Sequence, residues 1–226
     1  MSKMLKISEK AKTKLRVVVL ISGSGSNLQA LIDGMQAGEL SIEIVAVISN
    51  REDAYGLERA RNANIPAHAL SHTHFNSRDE FDFNLAELIQ PFKPGLIVLA
   101  GFMRILTAQF VEQFANKLIN IHPSLLPKFT GVNTHQRAID AGETHHGASV
   151  HFVITELDAG PVIIQGQVKL NASETAKSLQ QRIHKIEHII YPKAVQWIAE
   201  NRVSINNGKV LLDGHTSNKQ TLSVDC

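Results

Sequence analysis

Asn120 and His122 are the pair of residues whose types and spacing point most clearly to chemistry. They lie two positions apart in an alternating apolar run, residues 118–127, which reads Leu-Ile-Asn-Ile-His-Pro-Ser-Leu-Leu-Pro. In a strand, both side chains point to one face and lie about 6.6 Å apart, so an amide and an imidazole could flank one small carbonyl group. Pro123 then ends the strand, as expected at the carboxyl edge of an α/β sheet, where such folds bind ligands. The pair predicts an active-site edge; the alternative is a strand end that only satisfies local backbone groups.

A glycine turn at residues 22–27, Ser-Gly-Ser-Gly-Ser-Asn, lies between a β-branched run and a helical pattern. Glycines permit a tight turn, and the helix N-terminus offers free backbone N–H groups to an anion. Ser24, Ser26 and Asn27 add hydroxyl and amide donors, so the turn predicts a monophosphate site. A dinucleotide site would carry a third glycine where Leu28 stands, so NAD is disfavoured. A plain turn without a ligand is the alternative.

Residues 184–188, His-Lys-Ile-Glu-His, match a pattern in which two helical histidines bind zinc and a glutamate acts as base. The acidic residues that follow, Glu200 and Asp213, lie on no clear helix that could supply a third ligand, so a metallopeptidase is disfavoured. Glu187 shares a helix face with His184, so its carboxylate could reach a substrate amine or a ribose hydroxyl. A solvated helix face is the alternative.

Further polar residues lie in the second half of the chain. Adjacent side chains diverge, so we expect His145 and His146 to be surface histidines rather than a shared metal site. Ser149 and His151 share a strand face and could line the same cavity as Asn120 and His122. Asp158 lies in a turn with Gly160, where a simple turn aspartate is the common role.

The composition is that of an ordinary globular chain. It has 226 residues, 43% apolar and 19% charged, and a net charge of +2 without a basic aromatic stripe, so neither nucleic acid nor a membrane is an expected partner. The single cysteine, Cys226, excludes an internal disulfide. Residues 1–14 carry five lysines and no signal sequence, so we expect a cytoplasmic protein. We predict a disordered basic tail at 1–14, one domain at 15–213 and a polar tail at 214–226.

Strand and helix patterns alternate through the first half of the chain. Predicted strands lie at residues 15–21, 42–48, 65–70, 95–101 and 117–121, and predicted helices at 28–35, 55–62, 77–90 and 107–114. Beyond a helix at 134–141, strands at 148–154 and 161–170 form a hairpin-like pair. A long helix begins at Ser173, Asn207-Gly208 marks a late hairpin, and a frayed end is expected from His215. The pattern predicts a doubly wound, mostly parallel α/β sheet, Rossmann-like, with antiparallel strands in the C-terminal part.

Four segments together resemble the phosphoribosylglycinamide formyltransferases of purine synthesis. They are residues 21–28 (Ile-Ser-Gly-Ser-Gly-Ser-Asn-Leu), 99–106 (Leu-Ala-Gly-Phe-Met-Arg-Ile-Leu), 120–127 and 156–158 (Glu-Leu-Asp), and the resemblance covers residues 15–213. It implies transfer of a formyl group from 10-formyltetrahydrofolate to the amine of glycinamide ribonucleotide, without a metal or a covalent enzyme intermediate. A homodimer is left open.

The resemblance also assigns roles to residues. Asn120, His122 and Asp158 match the catalytic triad of the family: the amide would bind the tetrahedral oxyanion, a contact worth about 3 kcal/mol, and Asp158 would orient the imidazolium. Ser149 and His151 would support them. The remaining matches are Gly25, Ser26 and Asn27 for the phosphate, Glu187 for the ribose or glycyl end, and Arg78, Met103, Arg104, Ile105, Leu106 and Asn120 for the folate.

The chain departs from the family pattern at four positions, Ser24, Thr130, Asn133 and Ala159, and since Thr130 and Asn133 lie in the loop of residues 128–135, we expect this loop to differ in conformation from that of the family. Methionyl-tRNA formyltransferase and formyltetrahydrofolate hydrolase use the same three catalytic residues. We expect neither the tRNA-binding barrel of the first nor the regulatory domain of the second in this chain. A hydrolase-like enzyme and a non-catalytic nucleotide-sensing module are kept as alternatives.

Overall fold

The computed structural model describes residues 13–216 and 221–223. Strands and helices alternate along the chain as the sequence predicts. The strands are β1 (Leu15–Ile21), β2 (Ile42–Ser49), β3 (Ala67–Ala69), β4 (Leu96–Leu99), β5 (Leu118–His122), β6 (His145–Phe152), β7 (Val162–Lys169), β8 (Val203–Asn206), β9 (Lys209–Leu212), β10 (His215–Thr216) and β11 (Thr221–Ser223). The helices are α1 (Ser26–Gln36), α2 (Tyr55–Asn62), α3 (Arg78–Ile89), α4 (Ala108–Gln113), α5 (Thr134–Asp140) and α6 (Ala176–Ala199), with 3₁₀ turns at His72–His74 and Gln90–Phe92.

The main sheet has eight strands in the order β11-β7-β6-β5-β4-β1-β2-β3. Strands β1 to β5 pair in parallel, β6 runs antiparallel to β5 and β7, and β8, β9 and β10 form a small antiparallel sheet. The predicted fold class, a doubly wound and mostly parallel sheet with antiparallel strands in the C-terminal part, is confirmed. The chain order reverses between β1 and β4, so the loops at the carboxyl ends of these strands open a crevice.

Helices cover both faces of the parallel strands, which is why β1 is a continuous apolar run. Val17, Val19 and Ile21 pack with α1, α2 and α6, whereas Val18 and Leu20 pack with α3 and α4. All five side chains are fully buried. Burial of each such side chain contributes about 1.5–3 kcal/mol, and the two layers hold the crevice rigid from both sides.

Helix starts follow local capping chemistry. The side chain of Thr175 accepts a hydrogen bond from Ser178 N and forms a capping box, so α6 begins after Thr175 rather than at the predicted Ser173. The spacing of Ser77 and Glu80 predicts a capping box for α3; Ser77 Oγ does accept from Glu80 N, but the Glu80 carboxylate accepts from Asn76 N instead of Ser77 N.

The C-terminal residues differ most from the prediction. A frayed end is expected from His215, but β10 pairs with β9, and β11 adds to the main sheet as a parallel neighbour of β7. A polar sequence can pair in this way because an edge strand uses its backbone groups. The predicted strand at 65–70 is only three residues long. Most of the basic tail, residues 1–12, lies outside the described residues, within which no helix is long and apolar enough to cross a membrane.

Candidate active site

The predicted catalytic residues meet at the carboxyl end of β5. His122, the last residue of β5, is 5% exposed, and its Nδ1 lies 3.4 Å from Asp158 Oδ2. Its Nε2 donates to the Phe129 carbonyl oxygen at 2.8 Å. Both ring nitrogens therefore face acceptors, so a doubly protonated ring loses no hydrogen bond here. Asn120 precedes His122 by two positions on the same strand face, as the sequence predicts.

Asp158 is more than a turn aspartate. Its side chain is buried, and it lies after β6 with a left-handed backbone, φ +54°. Besides facing His122, its Oδ2 accepts a hydrogen bond from Gly131 N at 2.9 Å. The carboxylate therefore ties the loop of residues 128–135, which contains Thr130 and Asn133, to His122.

His151 fixes the orientation of Asn120. The two residues are cross-strand partners in the register of β5 and β6. His151 Nδ1 donates to the Phe152 carbonyl oxygen at 2.9 Å, and its Nε2 lies 3.2 Å from Asn120 Nδ2. Burial lowers the pKa of His151, so its ring is neutral and Nε2 accepts from the Asn120 amide. One amide N–H is thus used internally, and the orientation of the whole amide group is set.

Ser149 lies one layer behind the cleft rather than in its wall. It is fully buried, donates to the Ser124 carbonyl oxygen at 2.6 Å, and accepts from Leu126 N at 3.0 Å and Gln165 Nε2 at 2.8 Å. These bonds hold the turn that follows β5. Ser149 therefore supports the site by fixing backbone.

The glycine turn at residues 22–27, hereafter the phosphate turn because it is the predicted phosphate site, leads into the N-terminus of α1. Gly25 caps the helix with φ +70°, a conformation that favours glycine. Ser26 and Asn27 begin the helix, so their backbone N–H groups are among those that have no partner within it. The local geometry is that of a ready anion site.

Glu187 closes this site from α6. It is 5% exposed and accepts a hydrogen bond from Asn27 Nδ2 at 2.8 Å, which overturns the solvated-face alternative. Burial raises the pKa of Glu187 to about 7, opposed by the Asn27 bond. Asn27 Oδ1 is buried and has no hydrogen-bond partner among the described residues, so it is free to accept from a ligand.

Four of the residues matched to the folate, residues 103–106, lie on a loop that is pinned at both ends. Met103 N donates to Ser22 Oγ at 2.7 Å, and Thr107 N donates to Asp82 Oδ2 at 2.6 Å. Between these bonds, Met103 and Ile105 are 79% and 54% exposed, an apolar surface that a ligand could cover. The other matched residues differ in setting: Leu106 is partly buried, the Arg104 guanidinium stacks over Phe81 at 4.5 Å, and Arg78 is exposed at the start of α3.

The prediction of two surface histidines is wrong for His146. It is 1% exposed, and its Nε2 lies 3.2 Å from Nδ1 of His135, on α5, whereas His145 is exposed. Adjacent strand residues point to opposite faces, and at the start of β6 only the face that carries His146 is covered. Burial and mutual repulsion lower the pKa of His146 to about 4, and burial is the largest cause of a similar lowering for His135.

Phe129 is a site residue that the sequence patterns did not predict. Its positive φ of +56° carries no sequence signal, and its partner His122 is seven residues away.

Across the described ranges, no group of three or more histidine, cysteine or acidic side chains could hold a metal ion.

Comparisons with known proteins agree with this geometry. The model of the formyl transferase family matches residues 15–195. Phosphoribosylglycinamide formyltransferase of Escherichia coli (strain K12) is 45% identical over 93% of this chain and 100% of its own length. Phosphoribosylglycinamide formyltransferase of Haemophilus influenzae is 43% identical over 88% of this chain and 94% of its own length. Among solved structures, the phosphoribosylglycinamide formyltransferase from Coxiella burnetii, in complex with CHES, has a TM-score of 0.88 at 51% identity, covering 94% of this chain and 100% of that chain. A formyltetrahydrofolate deformylase from Pseudomonas syringae has a TM-score of 0.83 at 27% identity; the match covers 89% of this chain and 67% of the deformylase chain.

Proposed function

The chain belongs to the formyl transferase family, and on that premise we propose that it transfers the formyl group of 10-formyltetrahydrofolate to the amine of glycinamide ribonucleotide in purine biosynthesis. The observation that carries the proposal is the convergence of Asn120, His122 and Asp158 at the carboxyl end of β5. Relatives of nearly the same length as this chain carry the name of this activity.

The reaction is an acyl transfer between two nitrogens. The amine nitrogen of the ribonucleotide bonds to the formyl carbon, the bond from that carbon to N10 of the folate breaks, and one proton passes from the amine to N10. The tetrahedral intermediate carries an oxyanion. Asn120 donates its remaining amide N–H to this oxygen, and a preorganised donor of this kind is worth about 3 kcal/mol in a dry site; His122 donates to it as well when its Nε2–H leaves the Phe129 carbonyl oxygen.

Asp158 keeps His122 in place. The carboxylate faces Nδ1 at 3.4 Å, and the Phe129 carbonyl oxygen accepts from Nε2, so the ring is oriented from both sides. We assign to the His122–Asp158 pair the transfer of the proton from the amine to the leaving nitrogen, directly or through one water. Either order of these two transfers is compatible with the geometry.

The two substrates occupy opposite sides of this centre. The ribonucleotide phosphate binds at Gly25, Ser26 and Asn27, and Glu187 lies beside its ribose or glycyl end. The folate covers the exposed apolar side chains of the 103–106 loop, and Arg78 meets its carboxylates.

We also propose that the reaction takes place in the cytoplasm and uses neither a metal nor NAD, nor a nucleic acid or membrane partner. The three side chains at β5 supply the acid, base and oxyanion donor that an acyl transfer needs. Full turnover is therefore expected after treatment with a chelator. Lost turnover that zinc restores would contradict this and implicate His184 and His188.

Release of the deformylated folate, followed with and without the ribonucleotide, tests the proposed function. We expect release that depends on the ribonucleotide. Equal release without it would support a hydrolase, an alternative favoured by the likeness to the deformylase, and binding without any release would support a nucleotide-sensing module.

A matched pair of variants tests the site. His122→Ala should lower the rate by at least about a hundredfold while phosphate binding stays measurable, because the phosphate turn is a separate loop. His145→Ala removes an exposed histidine and should leave the rate unchanged. Loss of nucleotide affinity in His122→Ala would contradict the layout.

A further inference from the structure

Arg59, on α2, is bonded to both sides of the phosphate turn. Its Nε donates to the Ser24 carbonyl oxygen at 2.8 Å, and its Nη1 donates to Gln29 Oε1 at 3.0 Å. Ser24 precedes the cap of α1, whereas Gln29 lies in the first turn of that helix. Because a guanidinium is a rigid planar fork, the two bonds fix the turn against the helix that follows it.

Backbone contact between α2 and the turn aims Arg59 at this position. Gly56 N donates to the Gly23 carbonyl oxygen at 3.0 Å, and a Cβ on Gly25 would lie 2.7 Å from Gly56 Cα. No side chain therefore separates the two backbones. Arg59 follows Gly56 by three positions, a spacing that places two helical residues on one face, so the contact delivers the guanidinium to the turn.

The charge of Arg59 complements what the turn itself offers. A phosphate monoester carries about −1.5 to −2 charges at neutral pH, and a helix N-terminus supplies only about +0.5. On α6, burial lowers the pKa values of His184 and His188, so both are neutral at pH 7, and their neighbour Glu187 is an acid. The charge of Arg59 also contributes to the lowered pKa of His188, so the guanidinium is within electrostatic reach of α6.

We propose that Arg59 is a positioning residue for the nucleotide phosphate: it shapes the turn through the Ser24 carbonyl and places a permanent positive charge behind it. The inference rests on the proposed function, which puts the phosphate at residues 25–27. The stacking of the guanidinium on Tyr55, 4.9 Å from the ring centre, supports it because the ring limits where the charge can move.

Steady-state kinetics of Arg59→Met and Arg59→Lys test the inference, with Arg61→Met as the control. Arg61 lies on the same helix with an exposed side chain, so its variant changes the charge of the protein equally. We expect Arg59→Met to raise KM for the ribonucleotide about tenfold, with kcat and KM for the formyl donor within about twofold of wild type. Arg59→Lys keeps the positive charge but loses the planar guanidinium, so its KM for the ribonucleotide should lie between those of wild type and Arg59→Met. The inhibition constant of inorganic phosphate should follow the same order.

The outcomes separate the inference from the function on which it rests. An inactive wild-type protein overturns the proposed function. An active wild type with unchanged nucleotide KM in Arg59→Met overturns the inference, and a wild-type KM in Arg59→Lys overturns the positioning role. Equal changes in both KM values, together with a lowered Tm, show that Arg59 only stabilises the packing of α2 and also overturn it.

Discussion

Two neighbouring histidines, the buried His146 and the partly buried His135, predict that the protein loses stability as the solution becomes acidic. The pKa of each ring is lowered from 6.5 to about 4, mainly because burial penalises the charged form. Below pH 6.5 the unfolded chain therefore binds protons that the folded chain does not. The contribution of the pair to stability is fully present above pH 6.5 and is lost as the pH falls toward 4.

The size of the effect follows from the two pKa values. One pKa unit corresponds to about 1.36 kcal/mol, so a drop from 6.5 to about 4 is worth about 3.4 kcal/mol for one ring when the loss is complete. At pH 5 the loss is about 2 kcal/mol for His146, which is 1% exposed, and smaller for His135, which is only partly buried and therefore screened by solvent. Such a loss is a large share of the roughly 5–15 kcal/mol that stabilises a typical protein.

Urea unfolding of wild type and His146→Gln at pH 7.5 and pH 5 measures this contribution. His151, His184 and His188 also have lowered pKa values, so the wild-type loss includes other groups and the difference between the proteins is the useful quantity. We expect His146→Gln to lose about 2 kcal/mol less than wild type between the two pH values. The exposed neighbour His145 provides the control, because His145→Gln should keep the wild-type loss. An undiminished loss in His146→Gln would refute the reasoning.

Two further substitutions test how the site is held. Tyr191 is fully buried, and its hydroxyl hydrogen is shared between the carbonyl oxygens of Leu99 and Ile119. Tyr191→Phe should therefore lower the free energy of unfolding by about 1–3 kcal/mol. An unchanged urea midpoint would contradict this. A Cβ on Gly160 would lie 1.8 Å from the Phe152 carbonyl oxygen, so Gly160→Ala must shift the turn that carries Asp158, the proposed catalytic aspartate. We expect about a tenfold or larger fall in kcat, with folding checked by circular dichroism, and normal turnover in a folded variant would show that the turn tolerates the shift.

The spacing of apolar residues along the chain predicted those strands and helices in which it follows a clear period. The β-branched run of β1 and the helix α2 have the predicted bounds, because strand alternation and helical spacing are properties of neighbouring residues. The strand β11 was missed because it buries little and pairs through its backbone, which leaves no apolar pattern. The spacing of Asn120 and His122 predicted a shared strand face for the same reason, since side-chain alternation needs no tertiary contact.

The sequence by itself determined the fold class, the strand that carries the polar pair, and the glycine turn before α1. Tertiary structure decided the partners: Asp158 and the Phe129 carbonyl on His122, and Glu187 on Asn27. The reason is physical, because period and turn chemistry are local, whereas burial and hydrogen bonding depend on which distant segments the sheet order brings together. Asn27 and Glu187 are 160 residues apart in the chain and 2.8 Å apart in space, a proximity that only the packing of α6 on α1 creates.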